Sequence, residues 1–94
     1  MRVEITVDLS IVNARAPLRA LADVTISISI LQVTIRRCAV FQKSVGPSWA
    51  NLPRLAVEKD GKKQFVPLID LPRELRTRVL DAVLDEYRRK SDAR

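Results

Sequence analysis

The chain contains no histidine and only one cysteine, Cys38, among its 94 residues. Histidine is the commonest general base and a frequent metal ligand, so its absence excludes Ser-His-Asp and Cys-His catalytic arrangements. A single cysteine can form neither an internal disulfide nor a thiolate metal cluster. We therefore predict a protein with no enzymatic activity, no cofactor and no bound metal, suited to the reducing cytoplasm.

Aromatic side chains and long apolar runs are also scarce. The chain has four aromatic residues, and its apolar runs are interrupted by Ser, Thr or Gln, so no membrane span is expected. The N-terminus has no apolar stretch followed by a small-residue cleavage site, so no signal peptide is expected. Because small aliphatic side chains must form the core of so short a chain, we expect a homodimer to add stability. The sequence thus predicts a soluble cytoplasmic protein with a single domain over residues 1–94.

Positive charge is concentrated in the middle third of the chain. The formal net charge is +6, and residues 36–63 contribute +5 of it, with seven basic and two acidic side chains. A local excess of this kind attracts polyanions, usually through their phosphates. The same side chains could instead keep an exposed sheet soluble and protect its edges. Composition alone leaves both interpretations open.

Period-two alternation of apolar and polar residues predicts strands in the first two thirds of the chain. The apolar phase changes at Leu31, which predicts a tight turn or bulge within 27–31. Pro53 interrupts a fourth strand, which is therefore an edge strand or a bulged one. The predicted strands cover residues 3–9, 20–30, 31–41, 49–57 and 65–69, with a turn at 13–17 and a loop at 43–48.

The last third predicts a hairpin followed by a helix. Asp60 and Gly61 favour the positive φ angles of a type I′ turn, which joins the last two strands over residues 58–62. Asp70 is the predicted N-cap of the helix, and Pro72 lies in its first turn. The helix has an apolar stripe consisting of Leu75, Val79, Ala82, Val83 and Tyr87. The fold class is therefore α+β, an antiparallel sheet of about five strands followed by a C-terminal helix.

Lysines on both sides of the Asp60-Gly61 turn are the best candidates for a binding site. We predict that the hairpin and its neighbours contact nucleic-acid phosphates through Arg36, Arg37, Arg54, Lys59, Lys62 and Lys63. Exposed turns also collect lysines without any such role. Trp49 either stacks on a base or fills the core, and the scarcity of aromatics favours the core. Cys38 lies in a strand pattern and is interpreted as a small buried hydrophobe.

Five segments follow one another along the chain: residues 18–26, Ile35-Arg36, Leu52-Pro53, Asp60-Gly61, and a closing segment in which Arg76 precedes Ala82-Val83-Leu84 and Tyr87. In this order they resemble the SpoVG family of bacterial stage V sporulation and septation-regulator proteins. The resemblance covers almost the whole chain. The family's acidic turn between the second and third strands is replaced here by residues 29–34.

The resemblance implies a compact sheet followed by a helix, a dimer, and a non-catalytic regulator that binds DNA and RNA. Arg54 is the residue nearest to the family's basic pair after its Met-Pro, and Lys62 and Lys63 occupy the position of its polar residues after the turn. Two functions are consistent with the sequence. One is a homodimeric nucleic-acid-binding regulator without a small-molecule substrate, and the other is a protein-interaction or structural module.

Overall fold

The computed structural model describes residues 2–12, 17–43 and 46–92. This part of the chain forms two antiparallel sheets and one helix, α1 (Arg73–Asp92). The first sheet has four strands in sequence order, β1 (Val3–Ile11), β2 (Leu18–Ile28), β3 (Leu31–Gln42) and β4 (Ser48–Asn51). The second is a two-stranded hairpin of β5 (Arg54–Lys59) and β6 (Lys62–Pro67). The predicted α+β class, with an antiparallel sheet and a C-terminal helix, is confirmed.

A two-residue turn joins β2 to β3, as the change of apolar phase predicted. Ile28 pairs with Leu31, which leaves Ser29 and Ile30 as the turn. Ser29 adopts a φ of 56°, the sign that tight hairpin turns require. The predicted turn at 13–17 and loop at 43–48 fall partly on residues 13–16 and 44–45, which lie outside the described residues.

A β-bulge in β3 changes which residues face the helix. Ala22 pairs with Cys38 and Val24 pairs with Ile35, so Asp23 opposes both Arg36 and Arg37. The extra residue places both arginines on the face opposite Ile35 and Cys38, which are buried. We call this the outer face of the four-stranded sheet. Arg37 has a φ of 63°, a left-handed conformation that costs a non-glycine residue about 1 kcal/mol or more.

The core lies between the other face of this sheet and α1. Alternate residues of β1–β3 point into it, and the helix contributes the predicted apolar stripe, in which Val79, Val83 and Tyr87 are buried. Burying an aliphatic side chain of this size stabilises the fold by about 1.5–3 kcal/mol. The largest fully buried side chains are those of Leu9, Val24, Val40, Val79, Val83 and Cys38. Cys38 is thus a buried hydrophobe, as predicted.

Cations of the helix cover the exposed edge of β1. Nη2 of Arg78 donates to the Val3 carbonyl at 3.2 Å, and Nζ of Lys90 donates to the Leu9 carbonyl at 2.5 Å. These carbonyls would otherwise be free on an edge strand, where they can template pairing with another chain. Arg78 and Lys90 therefore stabilise the fold by binding the edge of β1.

The predicted fourth strand is wrong in its extent. The chain leaves the first sheet after Asn51, and Arg54 begins a separate hairpin. Leu52 and Pro53 lie between the two strands, because proline lacks the N–H that a continuing ladder would use. The final strand, predicted over residues 65–69, is also shifted and is observed as Lys62–Pro67.

The predicted N-cap of the helix is also wrong. The helix begins at Arg73, and the amide of Arg76 donates to the Pro72 carbonyl at 2.9 Å. That bond gives Pro72 the N-cap position in place of Asp70. Among the described residues, no helix is both long enough and apolar enough to cross a membrane.

Candidate nucleic-acid interface

The β5–β6 hairpin closes through the turn that the sequence predicted. Lys59 pairs with Lys62, leaving Asp60 and Gly61 as its two central residues. Their φ angles are 55° and 75°, both positive as in a type I′ turn. A Cβ atom added at Gly61 would meet no neighbour within 4 Å. Glycine is therefore favoured here because it adopts a positive φ easily, and not because a side chain would clash.

The hairpin projects from the rest of the domain. Its two strands pack against each other but not against the four-stranded sheet or α1. One face, the apolar hairpin face, carries Leu55, Val57 and Val66, with Lys59 and Lys62 at its tip end, and Leu55 is 51% exposed. The opposite face, which we call the cationic hairpin face, carries Arg54, Lys63, Phe65 and one carboxylate, Glu58. A two-stranded hairpin of this kind is marginally stable alone, so its exposed apolar face is a surface for a further contact.

Three lysines are gathered at the tip of the hairpin, all of them exposed. Lys59 and Lys62 are directly opposite each other, an arrangement that destabilises strand pairing through like-charge repulsion. Lys63 faces Glu58 across the ladder. With Asp60 in the turn, three lysines and two carboxylates give the tip a net charge of only +1. A bound phosphate would relieve the Lys59–Lys62 repulsion, but the tip alone is a weak anion site.

A second group of cations lies at the base of the hairpin. Arg37 of β3 and Arg54 of β5 line a groove of about 310 Å³ between the hairpin and the outer face of the sheet. We call it the basal groove. Its lining also contains Leu21, Ala39, Phe41, Asn51, Leu52, Pro53, Phe65 and Leu68, and no carboxylate. Within the described residues, neither Arg37 nor Arg54 forms an ion pair. The basal groove is therefore more strongly cationic than the tip.

Arg36 does not join either group. Its Nη1 donates to Oδ2 of Asp23 at 2.9 Å, and Oδ1 of the same carboxylate accepts from the Arg37 amide at 3.3 Å. Asp23 thus neutralises Arg36 and holds the bulge that directs Arg37 outward. The six predicted residues divide into the tip lysines, the two arginines of the basal groove, and a structural Arg36. Arg54 and Lys59 are five residues apart along β5, a separation of about 17 Å.

Aromatic rings adjoin the basal groove, contrary to the expectation that Trp49 fills the core. Trp49 is 41% exposed on the outer face and stacks on Phe41, with ring centroids 5.8 Å apart. Phe65, in the groove lining, is 58% exposed, and Cζ of Arg54 lies 5.3 Å from its ring centroid. That distance permits a cation–π interaction. Phe65 was not among the predicted site residues, although its position two residues after Lys63 places both on one strand face.

Other concave surfaces suit an anion less well. A larger cavity of about 450 Å³ lies between β1 and α1, but Asp85 and Glu86 line it with a single cation, Arg89, which is paired with Glu86. In the described part of the chain, no three histidine, cysteine or acidic side chains cluster as a metal site. The basal groove and the hairpin tip are therefore the candidate interface.

Cys38 lies beneath this surface in the core, where its thiol is held neutral. Burial, with a smaller contribution from Asp23, raises the pKa of the thiol from 9.0 to about 11. The unfolded chain therefore loses this proton at lower pH than the folded chain does. The contribution to stability is complete below pH 9 and disappears as the pH rises from 9 to about 11.

We expect the stability advantage of the parent over Cys38→Ala to shrink across that pH range. Urea unfolding of both proteins between pH 8 and pH 11 measures it, and titrations common to both, such as those of lysines, cancel in the difference. If the difference in the free energy of unfolding between the two proteins stays constant up to pH 11, the pKa of the thiol is not raised in the folded protein.

The fold and the candidate interface together define a small α+β domain with a cationic hairpin. Comparisons with family models, with curated proteins and with solved structures gave no match.

Proposed function

We propose that this chain is a non-enzymatic, nucleic-acid-binding regulator of the SpoVG type, acting as a cytoplasmic homodimer. One observation carries the nucleic-acid part of the proposal. Four cations, Arg54, Lys59, Lys62 and Lys63, lie on a hairpin that stands clear of the domain, and Arg37 adjoins its base. An extended cationic projection suits a phosphate backbone, whereas a small-molecule site is normally an enclosed pocket.

The contacts of four of the six cations on α1 support the same surface. On α1, Arg78 and Lys90 bind carbonyls of β1, while Arg88 and Arg89 pair with Asp85 and Glu86. These helix cations are engaged inside the domain, so less of their charge is available to a ligand. The hairpin and the basal groove combine five cations with two carboxylates.

The homodimer is supported by two surfaces on which no other described part of the chain pairs or packs. The apolar hairpin face exposes Leu55 and Val66, and β3 has an open edge over residues 31–35, since β4 pairs only with residues 39–42. Leu31 and Val33 are exposed beside that edge. A six-residue hairpin strand matches this five-residue edge in length. We propose that the hairpin of one copy extends the sheet of the other by β-strand addition.

Salt-dependent binding tests the nucleic-acid proposal. We expect a labelled DNA duplex to bind with an affinity that falls steeply with salt concentration. Replacing Lys59, Lys62 and Lys63 by alanine should reduce the slope of log affinity against log salt by about 2–3, since each phosphate contact contributes about 0.9. Fluorescence anisotropy between about 50 and 200 mM salt measures both slopes.

A variant with the same change of charge provides the control. Replacing Arg73, Arg76 and Arg88 by alanine also removes three exposed cations, but from the helix. This variant should keep a slope close to that of the parent. Failure of the parent to bind DNA or RNA at low salt would refute nucleic-acid binding. Capture of one stoichiometric acidic protein, with no nucleic acid in the purified material, would favour the interaction-module alternative.

A further inference from the structure

We propose that the basal groove binds an unpaired base of single-stranded nucleic acid, with Arg37 and Arg54 holding the adjoining phosphates. The inference rests on the proposed function and narrows its ligand class to strands whose bases are free. It makes Phe65 and Trp49 contact residues for bases, a role that is separate from the phosphate contacts of the tip lysines.

The chemistry of the lining selects the ligand. The two guanidinium groups have no carboxylate beside them in the groove, so the site favours an anion. Most of the remaining lining is apolar, including Leu52, Leu68 and the ring of Phe65, so the groove also favours a flat, weakly hydrated group. A nucleotide combines both properties, since every base has a π face and carries a phosphate on each side.

The exposed rings are positioned for stacking. Phe65 lies on the cationic hairpin face between two cations. Lys63 is two residues nearer the tip on the same strand, and Arg54 is on the neighbouring strand, nearer the base of the hairpin. Trp49 exposes its ring on the outer face of the sheet and stacks on its cross-strand neighbour Phe41, which lines the groove. Exposed aromatic rings near cations, as Phe65 is near Arg54, are typical of sites that hold bases of a single strand.

Base pairing would keep a base away from this site. In a duplex the base faces are covered by neighbouring pairs, and side chains reach only the groove edges and the backbone. A ring lying in a groove between a hairpin and a sheet can stack only on a base that has left the helix. Duplex DNA is therefore limited to the phosphate contacts of the hairpin, whereas a single strand gains stacking as well.

The test compares three probes: a 12-nucleotide thymidine strand, an abasic strand of the same length and with the same number of phosphates, and a duplex of 12 base pairs. We expect the parent to bind the thymidine strand about tenfold more tightly than the abasic strand. Trp49 is the only tryptophan and stacks on Phe41, which lines the groove, so its fluorescence reports on this part of the surface. The thymidine strand should quench that fluorescence, and the duplex should not.

Variants of Phe65 identify the contact. Phe65→Ala should weaken binding of the thymidine strand about tenfold and leave the affinity for the duplex within about twofold of the parent's. Phe65→Tyr, which keeps an aromatic ring, should bind the thymidine strand as the parent does. Val12→Ala, at an exposed apolar residue away from the hairpin, is the control and should leave binding of the thymidine strand unchanged.

The outcomes separate this inference from the proposed function. Equal affinity for thymidine and abasic strands, with no effect of Phe65→Ala, would overturn the inference while leaving phosphate binding intact. Loss of the dimer in Phe65→Ala, with unchanged affinity for the thymidine strand, would also overturn it and assign the groove to a second copy. Absence of binding to all three probes would refute the proposed function together with the inference.

Discussion

Leu9→Ala is expected to lower the free energy of unfolding by about 2–5 kcal/mol. Leu9 is 1% exposed and packs in the core between the four-stranded sheet and α1. Its truncation removes buried apolar surface and leaves a cavity that the surrounding strands can only partly fill. Since small domains are stable by about 5–15 kcal/mol, this one change removes a large share of the total. Urea unfolding followed by far-UV circular dichroism measures the loss.

The same substitution at Leu31 provides the control. Leu31 is 60% exposed at the open edge of β3, so Leu31→Ala should change the stability of the monomer by no more than about 0.5 kcal/mol. Leu9→Met conserves the volume of the side chain and should lower the free energy of unfolding by less than about 1.5 kcal/mol. It shows whether the cavity accounts for the larger loss in Leu9→Ala. Equal losses at Leu9 and Leu31 would contradict the assignment of the core.

Local alternation was enough to predict the first three strands, because one face of each is buried against the helix. It did not reveal the bulge, because residues 38–41 are all apolar and hide the change of phase. In the structure, the buried side chain of Ile35 is at an odd position, and those of Cys38 and Val40 are at even positions. A strand can keep both sets on one face only if an extra residue is inserted between them. The consecutive arginines at 36 and 37 supply that insertion.

The errors at Pro53 and Asp70 have a different origin. Proline ends a ladder, but the pattern of the next segment does not show whether the chain then rejoins the same sheet. Here the local Asp60-Gly61 turn pairs β5 with β6, and neither strand joins the four-stranded sheet. Asp70 is a favourable N-cap residue, yet the helix begins three residues later, after Pro72. Residue preferences at helix ends are weak, so they do not fix the first residue of a helix.

The candidate interface was predictable only in part. The tip lysines follow from the Asp60-Gly61 turn, which is local chemistry. The basal groove brings Arg37 together with Arg54 and Phe65, and no periodic pattern connects residues so far apart in sequence. Trp49 was assigned to the core because aromatic side chains are usually buried, but no element of the described chain covers the outer face at β4. Its exposure therefore reflects the topology of the sheet.

Replacing Leu55 by Glu together with Val66 by Lys is expected to dissociate the proposed homodimer. These residues pair directly across the hairpin, so opposite charges there preserve the strand pairing while removing the apolar surface. Two large aliphatic side chains contribute about 3–6 kcal/mol when buried at about 1.5–3 kcal/mol each. The dissociation constant should therefore rise by about two to four orders of magnitude. Sedimentation equilibrium measures it, and circular dichroism verifies that the variant is folded.

Val12→Glu, at an exposed valine just after β1, introduces a charge away from the hairpin and should leave the dimer intact. A parent that remains monomeric at all concentrations, or a charged-pair variant that remains dimeric, would refute dimerisation through this face. The charged-pair variant also tests whether dimerisation increases the affinity for nucleic acid. A dimer presents two cationic hairpins, and simultaneous contact increases affinity by about 10²–10⁴ only for a strand long enough to reach both. Loss of the dimer should therefore weaken binding of long oligonucleotides far more than binding of short ones.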